Sequence, residues 1–351
     1  MKRIAPILSV RFFLALWVFL SHFPYPVFTE DQSNPVLWVV RSVLRNSFNG
    51  PAAVITFFVI SGFCIHFPNR QNIEIPSWAS YYARRYVRIL IPMGLAITLA
   101  IPLKLKLGLY INYILWSLLC EEIYYFLYPG LLRLRDLLGW RALMTLAWVA
   151  SLLVLLTNPA AKEYHNLGPS LTWVLGLPCW LMGVRMAERL DIFSPRSVGA
   201  LQVWSWRLGV WALSLGLSAL RFHTVIGFPW TLNLFAIVAT LWLQREISYY
   251  HSLSVIPAFE KMGDASYSVY LTHMHGAMLT GWITAMSTQL GWWLNVAITV
   301  IFSSVFYLCI ERPSHQLARN LSRRFAQRNQ AVGEIKSSHA RAGEGTFQTE
   351  N

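Results

Sequence analysis

The chain has 351 residues, of which 55% are hydrophobic and only 13% charged, with a formal net charge of +13. Soluble domains carry about 45–50% apolar and about 25% charged residues, so this balance excludes a soluble globular protein and defines a polytopic membrane chain. In such a chain the positive excess marks loops on one side of the bilayer, not a nucleic-acid surface, and the 16 tryptophans suit rings placed at the interfaces.

Runs of about 17–25 apolar residues read as spans. Ten occur, at approximately 7–23, 51–67, 89–109, 112–132, 142–157, 170–187, 204–220, 226–243, 265–287 and 292–311. Pro102, Lys104 and Lys106 interrupt the second half of the third. With the N-terminus placed in the cytoplasm, 22 of the 29 Lys and Arg residues fall on inner segments. Six (Arg41, Arg45, Lys104, Lys106, Lys162 and Arg221) fall outside, and Arg11 lies within a span. The positive-inside bias therefore favours ten spans with both termini cytoplasmic. The expected fold is an all-α, polytopic membrane helix bundle.

Arg11 breaks the apolar region of the first span and no small-x-small site follows, so it reads as a retained span, not a cleaved signal peptide. Cys64, Cys120, Cys179 and Cys309 all sit in apolar runs without metal-type spacing, which predicts buried hydrophobes and no metal site. After Pro313 the hydrophobic runs stop, giving an integral-membrane domain over 1–313 and a basic, disordered cytoplasmic tail over 314–351. The arginines just beyond the membrane can touch anionic lipid or simply be solvated.

Ionisable groups inside a bilayer are costly and usually face a bundle interior or a watery cavity. In "SVRFFLALWVFLSHF", Arg11 and His22 are eleven residues apart, only about 20° from whole turns and about 16 Å along the axis. They form two stations of one polar seam and are too distant for contact. Alone, the His could be a packed, hydrogen-bonded residue and the Arg could snorkel to the interface. A second stripe runs through "WSLLCEEIYYFLYP", where Ser117, Glu121, Tyr125 and Tyr128 recur at helical spacing while Glu122 points about 100° away. In "DASYSVYLTHMH", Ser266, Tyr270 and His273 share a face and His275 lies roughly opposite. An interhelical hydrogen-bond network without chemistry would also use such groups. In "SWASYYARRYVRILIP", Arg85 and Arg88 share a face with Arg84 beside them. That cluster can anchor topology, grip lipid headgroups or hold a soluble polyphosphate.

These residues resemble the acyltransferase-3 family of membrane-bound acyltransferases, which modify bacterial surface and exported glycans. Arg11 and His22 match its first-helix Arg and His, and "FFVISGFCI" (57–65) resembles its "FFxxSGFxI" run. "RRYVRILIP" resembles its "RRxxRIxP" element, and "WSLLCEEIYYFLYP" its "WSLxxExxFYxxxP", with Glu121 at the acidic position and Tyr124 where Phe is usual. "SYSVYLTH" ends on His273 as the family's late-helix motif does, and "ERP" (Glu311–Pro313) closes the last span. The elements occur in family order over residues 1 to about 313. Two features depart from the pattern: the stretch between "RILIP" and "WSLL" is short, and no extracytoplasmic SGNH-type hydrolase domain is appended. Transfer is then expected to finish within the membrane domain or with a partner.

The resemblance implies a bacterial cytoplasmic-membrane enzyme with acetyl-CoA as acyl donor. A hydroxyl of a surface or lipid-linked glycan would be the acceptor, with membrane lipids and no nucleic acid as further partners. Arg84, Arg85 and Arg88 would hold the coenzyme phosphates. Arg11 would lead the thioester arm inward or stabilise the oxyanion. His22 would take the acceptor proton or carry the acyl group, with Glu121 orienting or charge-pairing with a His and His273 as second base. Ser61, Ser117 and Tyr270 would line the pocket. The rival expectation is a transporter of a glycan lipid or small anion without covalent chemistry.

Overall fold

The computed structural model describes residues 5–26, 35–70, 77–190, 198–250, 256–284 and 288–345, and no strand occurs among them. Helix α1 (Ala5–His22) leads to a short amphipathic α2 (Pro35–Asn46) and then α3 (Gly50–His66). The Asn49 side chain starts α3 by accepting the Ala52 N–H at 3.1 Å, with Pro51 in the first turn. α4 (Trp78–Ala100) begins at Ser77, whose hydroxyl accepts the Ser80 N–H at 3.2 Å. The third span therefore starts eleven residues before the position read from hydropathy and ends at Ala100, capped by Ile101, beyond which Lys104 has φ 56°. Hydropathy missed the start because the capped first turns carry the arginines of the RRYVR cluster.

A single turn α5 (Leu107–Tyr110) and a π-helical turn (Ile111–Leu115) precede α6 (Trp116–Thr157). α6 breaks at Gly139, which sits at φ 76°, ψ 159°, a conformation open to glycine. After a 3₁₀ turn, α7 (Gly168–Glu188) shows what that break does. Tyr124 reaches Trp173 near the start of α7, Trp140 reaches Glu188 at its end, and Ser151 returns to Leu175. The chain thus reverses at Gly139, and the spans read at 112–132 and 142–157 are its two arms. α8 (Ala200–His223), α9 (Phe228–Tyr249), α10 (Pro257–Asp264), α11 (Ser266–Gly281) and α12 (Gln289–Phe306) follow. By length and apolarity, four described segments can cross a membrane: Gly50–Asn69, Leu107–Thr157, Tyr164–Glu188 and Gln289–Arg328. Large apolar side chains such as Leu146, Leu153, Phe222, Val300 and Ile301 cover the outside, as a lipid-facing surface requires.

One boundary differs from the sequence expectation. A second π-helical turn (Tyr307–Glu311) runs directly into α13 (Arg312–Gly345), so a helix continues where a disordered tail was expected to begin. Pro313 comes directly after the π-helical turn, so its missing N–H falls where the helical ladder is already irregular. The first part of α13 packs on α4, with Ser80 Oγ and Ser322 Oγ 2.7 Å apart. Residues 346–351 lie outside the described residues.

Between α3 and α7 the backbones nearly touch, because both contribute glycine. A Cβ on Gly62 would sit 2.0 Å from the Trp180 carbonyl oxygen, and one on Gly183 would sit 1.8 Å from that of Val59. Without water to drive association, close approach at small residues is what membrane helices use to pack.

Candidate functional site

Three helices bring the ionisable groups inward. Arg11 of α1, Arg85 and Arg88 of α4 and Glu121 of α6 line one cavity of about 80 Å³ together with Ser61, Tyr125 and Tyr267. Arg11 and Glu121 also line a neighbouring space of about 50 Å³, with Ser117, Ser266, Tyr267 and Tyr270 on its other walls. Val54 in turn separates that space from a larger vestibule of about 240 Å³ holding His22, Tyr113, Trp116, Glu163 and His165. Three spaces with shared lining residues are therefore arrayed from the arginine end of the bundle to the His22 end, an interrupted passage with Val54 between its last two parts. The seam predicted along α1 faces it at both stations.

Hydrogen bonds hold the lining in place. The Tyr125 hydroxyl donates to Glu121 Oε2 at 2.9 Å and lies 2.8 Å from Ser61 Oγ, to which Trp180 Nε1 also donates at 3.3 Å. Glu121 was expected to pair with a histidine. Its hydrogen bond goes instead to Tyr125 one turn on, and the guanidinium sharing its cavity is Arg11. The axial rise explains this difference: Glu121 sits at the depth of Arg11, about 16 Å from the His22 station. Ser117 Oγ and the Tyr270 hydroxyl are 2.7 Å apart, fastening α6 to α11.

His22 and His273 meet. Their ring centroids are 5.2 Å apart with planes inclined at 27°, and the Tyr113 ring stands edge-on to His22 at 6.0 Å. His273 Nδ1 donates to the Tyr270 carbonyl at 2.7 Å, which assigns the proton to that nitrogen because a carbonyl only accepts. Its Nε2 is left as a buried acceptor with no hydrogen-bond partner among the described residues. His275 turns away to α4, where its Nε2 lies 2.9 Å from the Ala96 carbonyl oxygen. Arg84 also stays out of the cavity, exposed on the flank of α4. Of the three arginines predicted to act together, the structure places only Arg85 and Arg88 on the passage.

Arg88 Nε donates to His315 Nε2 at 3.0 Å, so α13 supports the arginine end. The neighbouring Glu311 is fully buried and accepts from both the backbone N–H and the hydroxyl of Ser268, pinning the start of α11 to the π-helical turn. Glu311→Ala leaves that buried N–H unpaired. About 1–3 kcal/mol of stability should be lost, read as a lower thermal midpoint of the detergent-solubilised protein. An unchanged midpoint would remove Glu311 from this anchoring role.

Tyr113, Glu163 and His165 were not singled out from the sequence. They reach the vestibule from the π-helical turn and from the loop before α7, where no helical period marks them.

Apolar helices enclosing an interior of arginine, carboxylate and imidazole groups define an integral membrane protein with a polar internal site. The chain belongs to the acyltransferase-3 family, whose model, described as an acyltransferase domain, matches residues 9–310. Acyl transfer is thereby the class of reaction, as the motif resemblance implied. No curated protein and no solved structure matches the chain.

Proposed function

We propose that this protein is a bacterial cytoplasmic-membrane O-acyltransferase that moves an acyl group, acetyl in the simplest case, from coenzyme A to a hydroxyl of a surface or lipid-linked glycan. In this reading the bundle crosses the membrane ten times with both termini cytoplasmic, following the charge asymmetry of the loops. The observation that carries the proposal is the row of adjoining spaces from Arg85 and Arg88 to His22, whose ring meets that of His273. The two arginines hold coenzyme phosphates, and the pantetheine arm points from them toward Arg11 and Glu121.

The acceptor enters through the vestibule. One imidazole of the pair, through an acceptor nitrogen such as His273 Nε2, takes the hydroxyl proton as the oxygen attacks the thioester carbonyl. The tetrahedral intermediate collapses as the C–S bond breaks, and coenzyme A leaves after its sulfur takes up the proton held by the imidazole. Arg11, about 16 Å back along α1, leads the thioester arm inward. A variant route forms an acyl-His22 intermediate that the sugar hydroxyl then attacks. Tyr125 and Ser61 keep Glu121 beside Arg11, which fixes the charge at the narrow part of the passage.

Membranes containing the protein should transfer label from radiolabelled acetyl-CoA to a glycan, and mass spectrometry of surface polysaccharide should lose an acetyl ester when the gene is removed. A transporter would use the same passage yet consume no thioester, so unchanged acetyl-CoA in active membranes would overturn the proposal. The placement of the arginines adds a sharper expectation. Arg85→Ala should raise the KM for acetyl-CoA by about 10–100-fold, the loss of a charge-assisted hydrogen bond worth about 1.5–3 kcal/mol. Arg84→Ala should change KM little. Equal effects at the two positions would place the phosphates elsewhere.

A further inference from the structure

Away from the passage, the second arm of α6 and the start of α9 border an open groove of about 860 Å³ on the outside of the bundle. Three arginines stand at one end: Arg141 of α6, with Arg185 and Arg189 at or just past the end of α7. None of the three side chains makes a hydrogen bond or an ion pair within 4 Å among the described residues, although the Glu188 carboxylate acts on Arg185 from farther off. Glu188, the acidic group between them in sequence, is already engaged by His66 at 2.7 Å, Trp140 at 3.0 Å and Arg135 at 3.7 Å.

From that basic mouth the groove runs along α6 to Leu155, about 21 Å of helix. That is longer than one leaflet's share of a hydrocarbon core about 30 Å thick. Its walls are apolar and open sideways, with Val149, Leu152 and Leu234 about half exposed or more (49%, 49% and 60%). The one amide on the wall, Asn233, is saturated. Its Nδ2 donates to Ser151 Oγ and the Leu175 carbonyl, and its Oδ1 accepts from Tyr164. The groove therefore offers positive charge at one end and only hydrocarbon contacts beyond it.

We infer that this groove is a binding site for an anionic glycerophospholipid of the surrounding leaflet, its phosphate on Arg141, Arg185 and Arg189 and an acyl chain along the α6–α9 trough. Basic pockets between membrane helices recognise anionic lipid headgroups through this combination of charge and apolar depth. Because Glu188 also ties α3, α6 and α7 together, a lipid seated beside it braces the reversal at Gly139. The inference stands independently of the acyl-transfer reading, since no step in its test uses coenzyme A.

The test is native mass spectrometry of the full-length protein released from its own membranes, with lipid identification. The wild type should retain an anionic phospholipid. The triple variant Arg141→Gln, Arg185→Gln, Arg189→Gln should bind it about a hundredfold more weakly. Val149→Trp with Leu152→Trp, which fills the trough and keeps the charges, should also lose it. If a variant fails to fold, the wild type in nanodiscs still decides. Adding phosphatidylglycerol to phosphatidylcholine should raise the thermal midpoint, and glycerol phosphate alone should not. Equal retention of zwitterionic lipid, full retention by the triple variant, or a lipid-linked saccharide as the bound mass would each overturn the inference.

Discussion

His22→Ala is expected to lower acyl transfer by about 10²–10⁴-fold, the usual contribution of a positioned acid–base group, while the protein remains at wild-type abundance in the membrane. His22 lines the vestibule, so its removal enlarges a space that is already open. His273→Ala should fall in the same range. The double variant should be hardly worse than either single change, because groups that act as a unit lose their contribution together. His275→Ala serves as a control on the same helix, since that ring faces Ala96 and not the passage. The measurement is label transfer from acetyl-CoA in isolated membranes, with abundance followed by immunoblot. Retained activity in His22→Ala would end its catalytic role, and simple additivity of the two losses would separate the two rings into different steps.

The second large effect is structural. Gly183→Ala puts a methyl group 1.8 Å from the Val59 carbonyl oxygen and 2.8 Å from the Phe63 nitrogen, both backbone atoms of α3 that no rotamer change can move. The helices must separate, and overpacking of this kind costs about 1–3 kcal/mol or more. Separation also pulls Trp180 from Ser61, loosening the support of Tyr125 and Glu121. The expected result is a lower thermal midpoint by fluorescence-detected size exclusion, together with reduced transfer. Gly62→Ala should behave alike, its Cβ meeting the Trp180 carbonyl oxygen at 2.0 Å. Gly94→Ala and Gly130→Ala meet nothing within 4 Å and should be neutral or stabilising, since alanine favours a helix over glycine by about 1 kcal/mol. A Gly183→Ala protein as stable as wild type would mean that α3 and α7 are not held at this distance.

These two expectations draw on different kinds of information. Arg11, His22, Glu121 and His273 could be read in the sequence because charge is rare inside apolar runs, and the 3.6-residue period tells which of them share a face. The same period separated His273 from His275, and the structure turns them to different neighbours. The period also set Arg84 apart from Arg85 and Arg88, and only those two line the cavity; the motif, which runs through all three, did not distinguish them. The reversal at Gly139 was visible as a gap between two apolar runs, but its turning conformation is a local backbone state that hydropathy does not encode.

The amino-acid order by itself determined a helical membrane chain, the acyltransferase-3 motifs and most of the inward-facing polar residues, because burial cost and helical period act locally along the chain. Only the tertiary structure decided that His22 stacks on His273, that Glu121 bonds Tyr125 and shares its cavity with Arg11, and that Arg141, Arg185 and Arg189 gather at one groove. Those relations join residues on different helices. They depend on how closely α3 and α7 approach at Gly62 and Gly183 and on where α6 turns back, distances that are set by packing between helices and not by the pattern within any one of them.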